Sequence, residues 1–514
     1  MRASRDERRP RIRRRAIAAL LLAPLLAAPA AAQVGPPVPL IPPPSPGSAP
    51  ASSPAPPAQA PSRGGSGIDT APLAPVDATW SGTLSPADGA FPETMWQGTS
   101  RSLVAGRLVQ LQPNTSPILQ DLARRLLLST ARPPGGDDPA DGPSLGALRL
   151  ERLMALGQVD GALAIADLVR TKGDPQRLDR LRVELHFAAN DVDGACSAVK
   201  AAIGRYQDFW WDRALIACQA LGGDQAKASV GLSLLQERKA PRDSVFDALV
   251  AALGNRKLKV EHMPDPTPIR VALLAAAKLP LPADALQAAS PAVLHQWATN
   301  PSVPADGRLS AAERAAALGA ISLDDLRKIY VAIPPTSTER KAALVRAAPD
   351  NPRARAVIYT VAKDEPAPAL RAELLAALLD AGRKHGFFLL MARLSAPILR
   401  EIKPSADLDW FAPVAARALY GAGDAEAAER WLPLADAEVE SRMAGIGREA
   451  PPAARIGTRL FGETVLGVLV SAQQDGRLSS DAAVIQNSAT ALRGIGLERE
   501  ARQLEIEAAL AAGP

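Results

Sequence analysis

The sequence is poor in the side chains that most often carry catalysis or bind metal ions. Only four histidines occur among its 514 residues, and no two of them lie within one helical turn of each other. A glycine-rich phosphate-binding loop, a dinucleotide-binding fingerprint and a serine nucleophile elbow are also missing. The sequence therefore predicts a protein that is not an enzyme and that holds no metal and no cofactor. The histidines, each expected to be a packed or surface residue, are His186, His262, His295 and His385.

Aromatic residues are scarce, at 4% of the chain. Long stretches in which Val, Ile, Tyr or Thr alternate with polar residues are absent as well. Alternation of that kind marks half-buried strands, so essentially no sheet is expected. Apolar residues nevertheless make up 47% of the chain. This composition predicts an all-α fold that is long enough to bury a large core.

Acidic residues are rare at the N-terminus. Met1–Arg15 carries eight arginines and two acids, Ala16–Ala28 is apolar, and the small residues Ala30–Ala32 follow. This pattern is typical of a cleavable signal peptide over residues 1–32. The apolar stretch is shorter than the roughly 20 residues that span a bilayer. We expect a periplasmic protein without an integral membrane span after cleavage, exported by either the general or the twin-arginine route.

The net positive charge of the chain belongs to this N-terminal segment. The chain has 59 basic and 54 acidic residues. Removing the eight arginines and two acids of the signal peptide leaves 51 basic and 52 acidic residues. A nearly neutral protein lacks the electrostatic basis for binding nucleic acid, so nucleic acid is excluded as a partner.

The remaining chain divides by composition. Residues 33–67 consist of Pro, Ala, Ser and Gly with almost no charge, which predicts a disordered tether, acting either as a passive tail or as a spacer. Residues 68–100 form an irregular, proline-containing strap. Residues 101–514 are predicted to be an α-helical repeat domain with a possible hinge at 439–451. The aromatic residues expected to pack the strap onto a neighbouring helix are Trp80, Phe91 and Trp96.

One motif recurs every 33 residues within residues 149–241. It begins at Gly157, Asn190 and Gly223, which are residues that tolerate the left-handed conformation at the end of a helix. An Asp or Gln that can cap the next helix follows each of them. Small and apolar residues then recur at helical spacing, which predicts a buried face on each second helix. They are Ala162, Ala195 and Ala228, then Ala166, Val199 and Leu232, then Val169, Ala202 and Leu235.

Two prolines, Pro175 and Pro241, lie at the ends of the first and third units, where a helix must stop. A turn glycine, an alanine five residues later and a terminal proline together resemble the tetratricopeptide-type repeat. The resemblance covers about 95 residues and lacks the large aromatic residue of that family's first helix. It implies an α-solenoid of stacked antiparallel helical hairpins. Irregular helical pairs that share only the turn chemistry are the alternative.

The only cysteines are Cys196 and Cys218. Each lies eleven residues from Gln207, close to the turn predicted at Gly204–Asp208. Antiparallel helices joined by that turn place the two residues at the same height, and an oxidising compartment favours pairing. We therefore predict a disulfide bond between them.

These features favour a non-catalytic periplasmic scaffold or binding module of the cell envelope. Stacked hairpins create an extended concave surface, and the expected partner is an envelope protein or an extended peptide. Aromatic side chains on that surface are the candidate anchors, although packing in the core is the default expectation for each of them. The candidate partner-binding residues are Tyr206, Trp210, Trp211, Trp410 and Trp431.

The alternative is a cell-envelope enzyme or enzyme subunit that acts on peptidoglycan. Dispersed acids such as Asp380, Asp409 and Glu463 would then have to converge in a groove. That hypothesis requires two carboxyl groups facing each other in one deep pocket, with a raised pKa.

Overall fold

The computed structural model describes residues 78–139, 142–169, 173–254, 259–344, 351–435 and 460–511. The chain divides into two compact units, Met1–Leu73 and Ala74–Pro514, and all described residues belong to the second. The predicted signal peptide, tether and hinge lie outside the described residues. Within the described ranges, every helix is too short or too polar to cross a lipid bilayer.

The described residues are mostly helical, as the composition predicts. The first nine helices are α1 (Arg101–Leu108), α2 (Pro117–Leu128), α3 (Leu145–Ala155), α4 (Val159–Ala166), α5 (Pro175–Ala188), α6 (Val192–Ala202), α7 (Phe209–Leu221), α8 (Gln225–Glu237) and α9 (Ser244–Gly254). The next nine are α10 (Pro268–Ala276), α11 (Ala283–Ala288), α12 (Pro291–Thr299), α13 (Ala305–Ala317), α14 (Leu323–Val331), α15 (Ser337–Leu344), α16 (Pro352–Asp364), α17 (Pro368–Lys384) and α18 (Phe388–Glu401). The last five are α19 (Ala412–Gly421), α20 (Ala425–Glu429), α21 (Phe461–Ser471), α22 (Ala482–Gly494) and α23 (Glu498–Ala511).

Strand structure in the described ranges is confined to short pairings. A small antiparallel hairpin joins β1 (Gln473–Gln474) to β2 (Arg477–Leu478), and two isolated bridges join Leu84 to Ser129 and Ser100 to Gly135. The expectation of essentially no sheet is therefore confirmed for this part of the chain.

The turns of the 33-residue motif have the predicted conformation. Gly157, Asn190 and Gly223 all have positive φ, at 76°, 61° and 82°, and each joins two helices that pack against each other. Asp191 and Asp224 then cap the helices that follow, each by accepting a hydrogen bond from a backbone N–H three residues later. The first unit departs from this pattern.

In that first unit, Gln158 makes no capping hydrogen bond to α4. Its side-chain amide instead donates to the carbonyl of Gly319, 2.8 Å away, after α13. The side chain thus ties the first hairpin to a helix more than 150 residues later in the chain.

The apolar face predicted for the second helices is buried. Ala162, Ala195 and Ala228 are fully buried, which lets the two helices of each hairpin approach closely. Of the nine positions in the predicted stripe, only Leu232 is partly exposed. The helical spacing of small and apolar residues therefore predicted this part of the core correctly.

Packing follows chain order through most of the unit, and then returns to its beginning. Successive helices contact each other in pairs from α3 to α8 and from α12 to α14, and again from α15 to α20. Near the C-terminus, α21 packs against α1 and α2, and α23 packs against α2 and α19. The first and last described helices of the unit therefore share one interface.

The strap residues that the structure describes contribute to the core at this interface. Trp80, Phe91 and Trp96 are buried there with side chains of α2 and α21. The rings of Trp80 and Trp96 meet edge to face at 4.8 Å, and that of Phe91 meets the ring of Phe461 at 5.1 Å. Aromatic packing thus holds an irregular segment against the helices.

Candidate functional site

The structure separates the five candidate anchors by exposure. Trp211 and Trp431 are buried in the larger hydrophobic core, so neither offers its ring to a partner. Tyr206 and Trp210 are partly exposed, whereas Trp410 is 48% exposed. Of the predicted anchors, Trp410 is therefore the most available from solvent.

The aromatic cluster at the start of α7 is held together by ring contacts. Trp211 stacks on Tyr206 with ring centroids 5.2 Å apart and meets Trp210 edge to face at 4.8 Å. The guanidinium of Arg180 lies over the ring of Trp210, 4.7 Å from its centroid. This cation–π contact links the cluster to α5, the first helix of the preceding hairpin.

The two cysteines lie together at the same region of the fold. The sulfur atoms of Cys196 on α6 and Cys218 on α7 are 2.06 Å apart, at the distance of a disulfide bond, and their Cα atoms are 5.5 Å apart. The predicted placement at equal height on two antiparallel helices therefore agrees with the structure.

The acids expected in the enzymatic alternative, Asp380, Asp409 and Glu463, do not line the cavity described below. Asp380 is paired with Arg383 and Lys384 on its own helix, and these cations hold the pKa of its carboxyl below the usual value. The structure brings together a different pair of acids.

That pair lies in an open cavity of about 360 Å³ between α3, α5 and the first turn of α12. These three helices contact one another. The charged lining residues come from α3 and α5, and Ser290, which caps α12, supplies a hydroxyl. The complete lining is Glu151, Arg152, Met154, Ala155, Arg177, Arg180, Leu181, Glu184, Ser290 and Ala292.

Both acids in the cavity are bound by arginines. Glu151 accepts two hydrogen bonds from Arg177, one of them 2.8 Å long, and Glu184 accepts one of 3.0 Å from Arg180. The acid side chains are 16% and 22% exposed, against 43% and 47% for their arginines. The carboxylates thus lie deeper than the guanidinium groups that pair with them.

Burial raises the pKa of Glu184, and the nearby carboxylate of Glu151 adds to the rise, whereas Arg180 lowers it. The surroundings of Glu184 therefore favour a proton on its carboxyl or a ligand cation beside it.

The third arginine of the cavity is less well satisfied. Arg152 donates from Nη1 to the carbonyl of Leu111 at 3.4 Å. Its Nε atom is buried without a hydrogen-bond partner among the described residues. The Nε atom is shielded from solvent, so a ligand can reach only the part of this guanidinium that lines the cavity.

The acids of the cavity were not predicted, although the sequence contains a signal for them. Glu151 and Glu184 are 33 residues apart, so they occupy the same position in the first helices of two successive motif units. The same spacing that relates the turns and the apolar stripe therefore also relates these two acids, and it is the sequence signal that places them side by side.

The four histidines do not assemble into a metal site. His295 is buried and its Nδ1 atom lies 2.8 Å from the carbonyl of Ala320, and His186 is 2.7 Å from the carboxylate of Asp191. In the described ranges, no three His, Cys, Asp or Glu residues are grouped so that they could hold a metal ion.

No protein-family model matches the chain, and no curated protein and no solved structure matches it either.

Proposed function

We propose that the chain is an exported, non-catalytic scaffold that binds a protein or an extended peptide in the cell envelope. In this proposal the described helices form an α-solenoid of tetratricopeptide-type hairpins, and residues 1–32 are the export signal. The left-handed turns at 33-residue spacing support the architecture. The paired cysteines are compatible with an oxidising compartment outside the cytoplasm.

The observation that carries the proposal is the cavity formed by α3, α5 and α12. It is built from the first helices of two successive hairpins, which in a hairpin stack form one continuous surface. Its lining combines charged groups with the apolar side chains of Met154 and Leu181. Apolar walls with a few placed polar groups are typical of ligand-binding cavities.

The proposal is tested by site-specific photo-cross-linking in envelope extracts. A photoreactive amino acid replaces Arg180 at the rim of the cavity or the exposed Trp410, and a third variant carries it at the exposed Lys363 on α16 as the control. We expect the same discrete adduct in repeated extracts from the Arg180 or Trp410 position and none from the Lys363 position. Absence of an adduct at both test positions would refute the scaffold.

One observation favours the enzymatic alternative. Glu151 and Glu184 share a cavity, and burial raises the pKa of Glu184, which is what a general acid requires. The arginines bound to both acids argue against it, because they stabilise the ionised form. If purified peptidoglycan is hydrolysed by the wild type and not by Glu184→Gln, the enzymatic function is supported. Absence of hydrolysis by the wild type removes it.

A further inference from the structure

The cavity between α3, α5 and α12 contains groups of both charge signs that do not fully neutralise each other. It has three arginines and two glutamates, so its lining carries a net charge of +1. The two acids lie deeper than the arginines paired with them. A ligand must therefore bind both the deeper carboxylates and the more exposed guanidinium groups of the lining.

A ligand of a single charge sign fits this lining poorly. An anion that reaches Arg152 lies near the carboxylates of Glu151 and Glu184, and a simple cation that reaches the acids lies near three guanidinium groups. Like charges at such distances repel. A molecule with both a cationic and an anionic group matches both halves of the lining.

We propose that this cavity binds a zwitterionic short peptide, with its ammonium group at Glu151 and Glu184 and its carboxylate at Arg152. This inference rests on the proposed peptide-binding function and names the class of ligand. The space of about 360 Å³ lies at the small end of the range for ligand sites, which suits a dipeptide. Met154, Leu181 and Ala292 receive its apolar side chains.

Binding requires the two arginines that are nearly half exposed to leave the acids. When an ammonium group replaces them, Arg177 can turn toward solvent and Arg180 can keep its contact with the ring of Trp210. Arg152 lines the cavity and, among the described residues, makes a single hydrogen bond of 3.4 Å, from Nη1 to Leu111, so its guanidinium can pair with the carboxylate of the ligand. The ammonium group also relieves the repulsion that Glu151 exerts on Glu184.

The probe is the dipeptide L-alanyl-L-alanine, compared by calorimetry with two blocked forms. N-acetylation removes the ammonium group, and C-terminal amidation removes the carboxylate. Each charged hydrogen bond is worth enough to change affinity about tenfold or more. We expect each blocked form to bind the wild-type chain about tenfold more weakly than the free dipeptide does.

Two variants assign the two ends of the probe. Glu184→Gln should bind the free and the N-acetylated dipeptide equally well and should still bind the amidated form more weakly. Arg152→Gln should bind the free and the amidated dipeptide equally well and should still bind the N-acetylated form more weakly. Glu505→Gln, which alters a carboxylate paired with Arg493 between α22 and α23, is the matched control and should bind as the wild type does. Circular dichroism of each variant verifies that it is folded.

The inference is overturned if the free dipeptide does not bind, or if the blocked forms bind equally well. It is also overturned if Glu184→Gln and Arg152→Gln lose affinity without changing the preference for either end. Adducts in the cross-linking experiment together with no dipeptide binding would leave the scaffold standing and remove only this ligand class. Absence of adducts at the test positions would remove the scaffold itself.

Discussion

At the scale of single residues, Arg149 shows how a buried charge holds the strap in place. It is fully buried, and burial lowers its pKa to about 9. Its guanidinium donates to the carbonyls of Leu127 at 2.7 Å and Thr79 at 3.0 Å, with a longer contact of 3.5 Å to Ser129. It also lies over the ring of Trp80, 4.8 Å from the centroid. One side chain therefore joins α3, the end of α2 and the strap.

We predict that Arg149→Met lowers the free energy of unfolding by about 2 to 4 kcal/mol, because it leaves buried carbonyl groups without their donor. The measurement is urea denaturation followed by circular dichroism. Arg124→Met on α2, which removes a partly exposed arginine paired with Asp121, should change the free energy by less than about 1 kcal/mol. Equal effects of the two substitutions would contradict this role of Arg149.

The cysteine pair is a second feature at the scale of single residues that contributes to stability. A bond between Cys196 and Cys218 closes a loop with a sequence separation of 22 residues. Restricting the unfolded chain in this way should stabilise the fold by about 3 kcal/mol. We predict that replacing both cysteines with serine lowers the midpoint of urea unfolding of the oxidised protein. If the wild type under reducing conditions unfolds at the same midpoint as when oxidised, the predicted contribution is wrong.

At the scale of secondary-structure elements, the contact between α2 and α23 contains an unusual acid. Glu507 is 1% exposed. Its carboxylate accepts hydrogen bonds from the hydroxyl of Ser116 at 2.5 Å and the backbone N–H of Ile118 at 3.1 Å. It thereby satisfies the N-terminus of α2. Burial raises its pKa to about 7, although these bonds, a hydrogen bond from the amide of Gln503 and the positive charge of Arg393 act in the opposite direction.

This shift predicts a pH dependence of stability. Between the ordinary pKa of 4.5 and about 7, the folded chain keeps a proton that the unfolded chain has released. The contribution of Glu507 is therefore complete below the lower value and is lost as the pH rises through the upper one. The loss amounts to about 3 kcal/mol.

We predict that Glu507→Gln removes this pH dependence, since the amide keeps the shape of the side chain and cannot ionise. Relative to the wild type, the free energy of unfolding of the variant should rise by about 2.5 kcal/mol between pH 5 and pH 8. Urea unfolding at the two pH values measures the difference, with Glu505→Gln as a control that keeps the wild-type dependence. An unchanged dependence in Glu507→Gln would show that another group titrates.

The elements also show what sequence reasoning reached and what it did not. Turn residues such as Asn190, and the small residues after them, were predictable because left-handed conformation and helical periodicity are local properties. The contact of Glu507 with Ser116 was not, because it joins residues 391 positions apart. Likewise, no local pattern reveals that Arg149 faces Trp80. The candidate site lay between these cases, since its acids share the repeat spacing but the cavity is completed by residues at the start of α12, more than 100 positions later in the chain.

At the scale of the whole described unit, its beginning and end are built into one core. Residues of the strap, of α1 to α5 and of α21 to α23 share a hydrophobic cluster. Arg125 on α2 pairs with Glu500 on α23 at 2.5 Å. Because α23 also contacts α19, the C-terminal helices lie between the start of the unit and its later hairpins. The cavity on α3 and α5 therefore belongs to helices that are packed on several sides.

Such packing fixes the helices of the site, so only the side chains of Arg177 and Arg180 rearrange on binding, and a rigid backbone loses less entropy. Both acids of the cavity are engaged by arginines. We therefore predict that the protein holds its partner without altering it chemically.

The most direct test of this claim is mass spectrometry of a partner captured at the cavity, before and after prolonged incubation with the wild-type protein. We predict that the partner is recovered at its full, unchanged mass. A shortened or otherwise modified partner, with the modification lost in Glu184→Gln, would contradict the proposed non-catalytic scaffold and identify the chain as an enzyme.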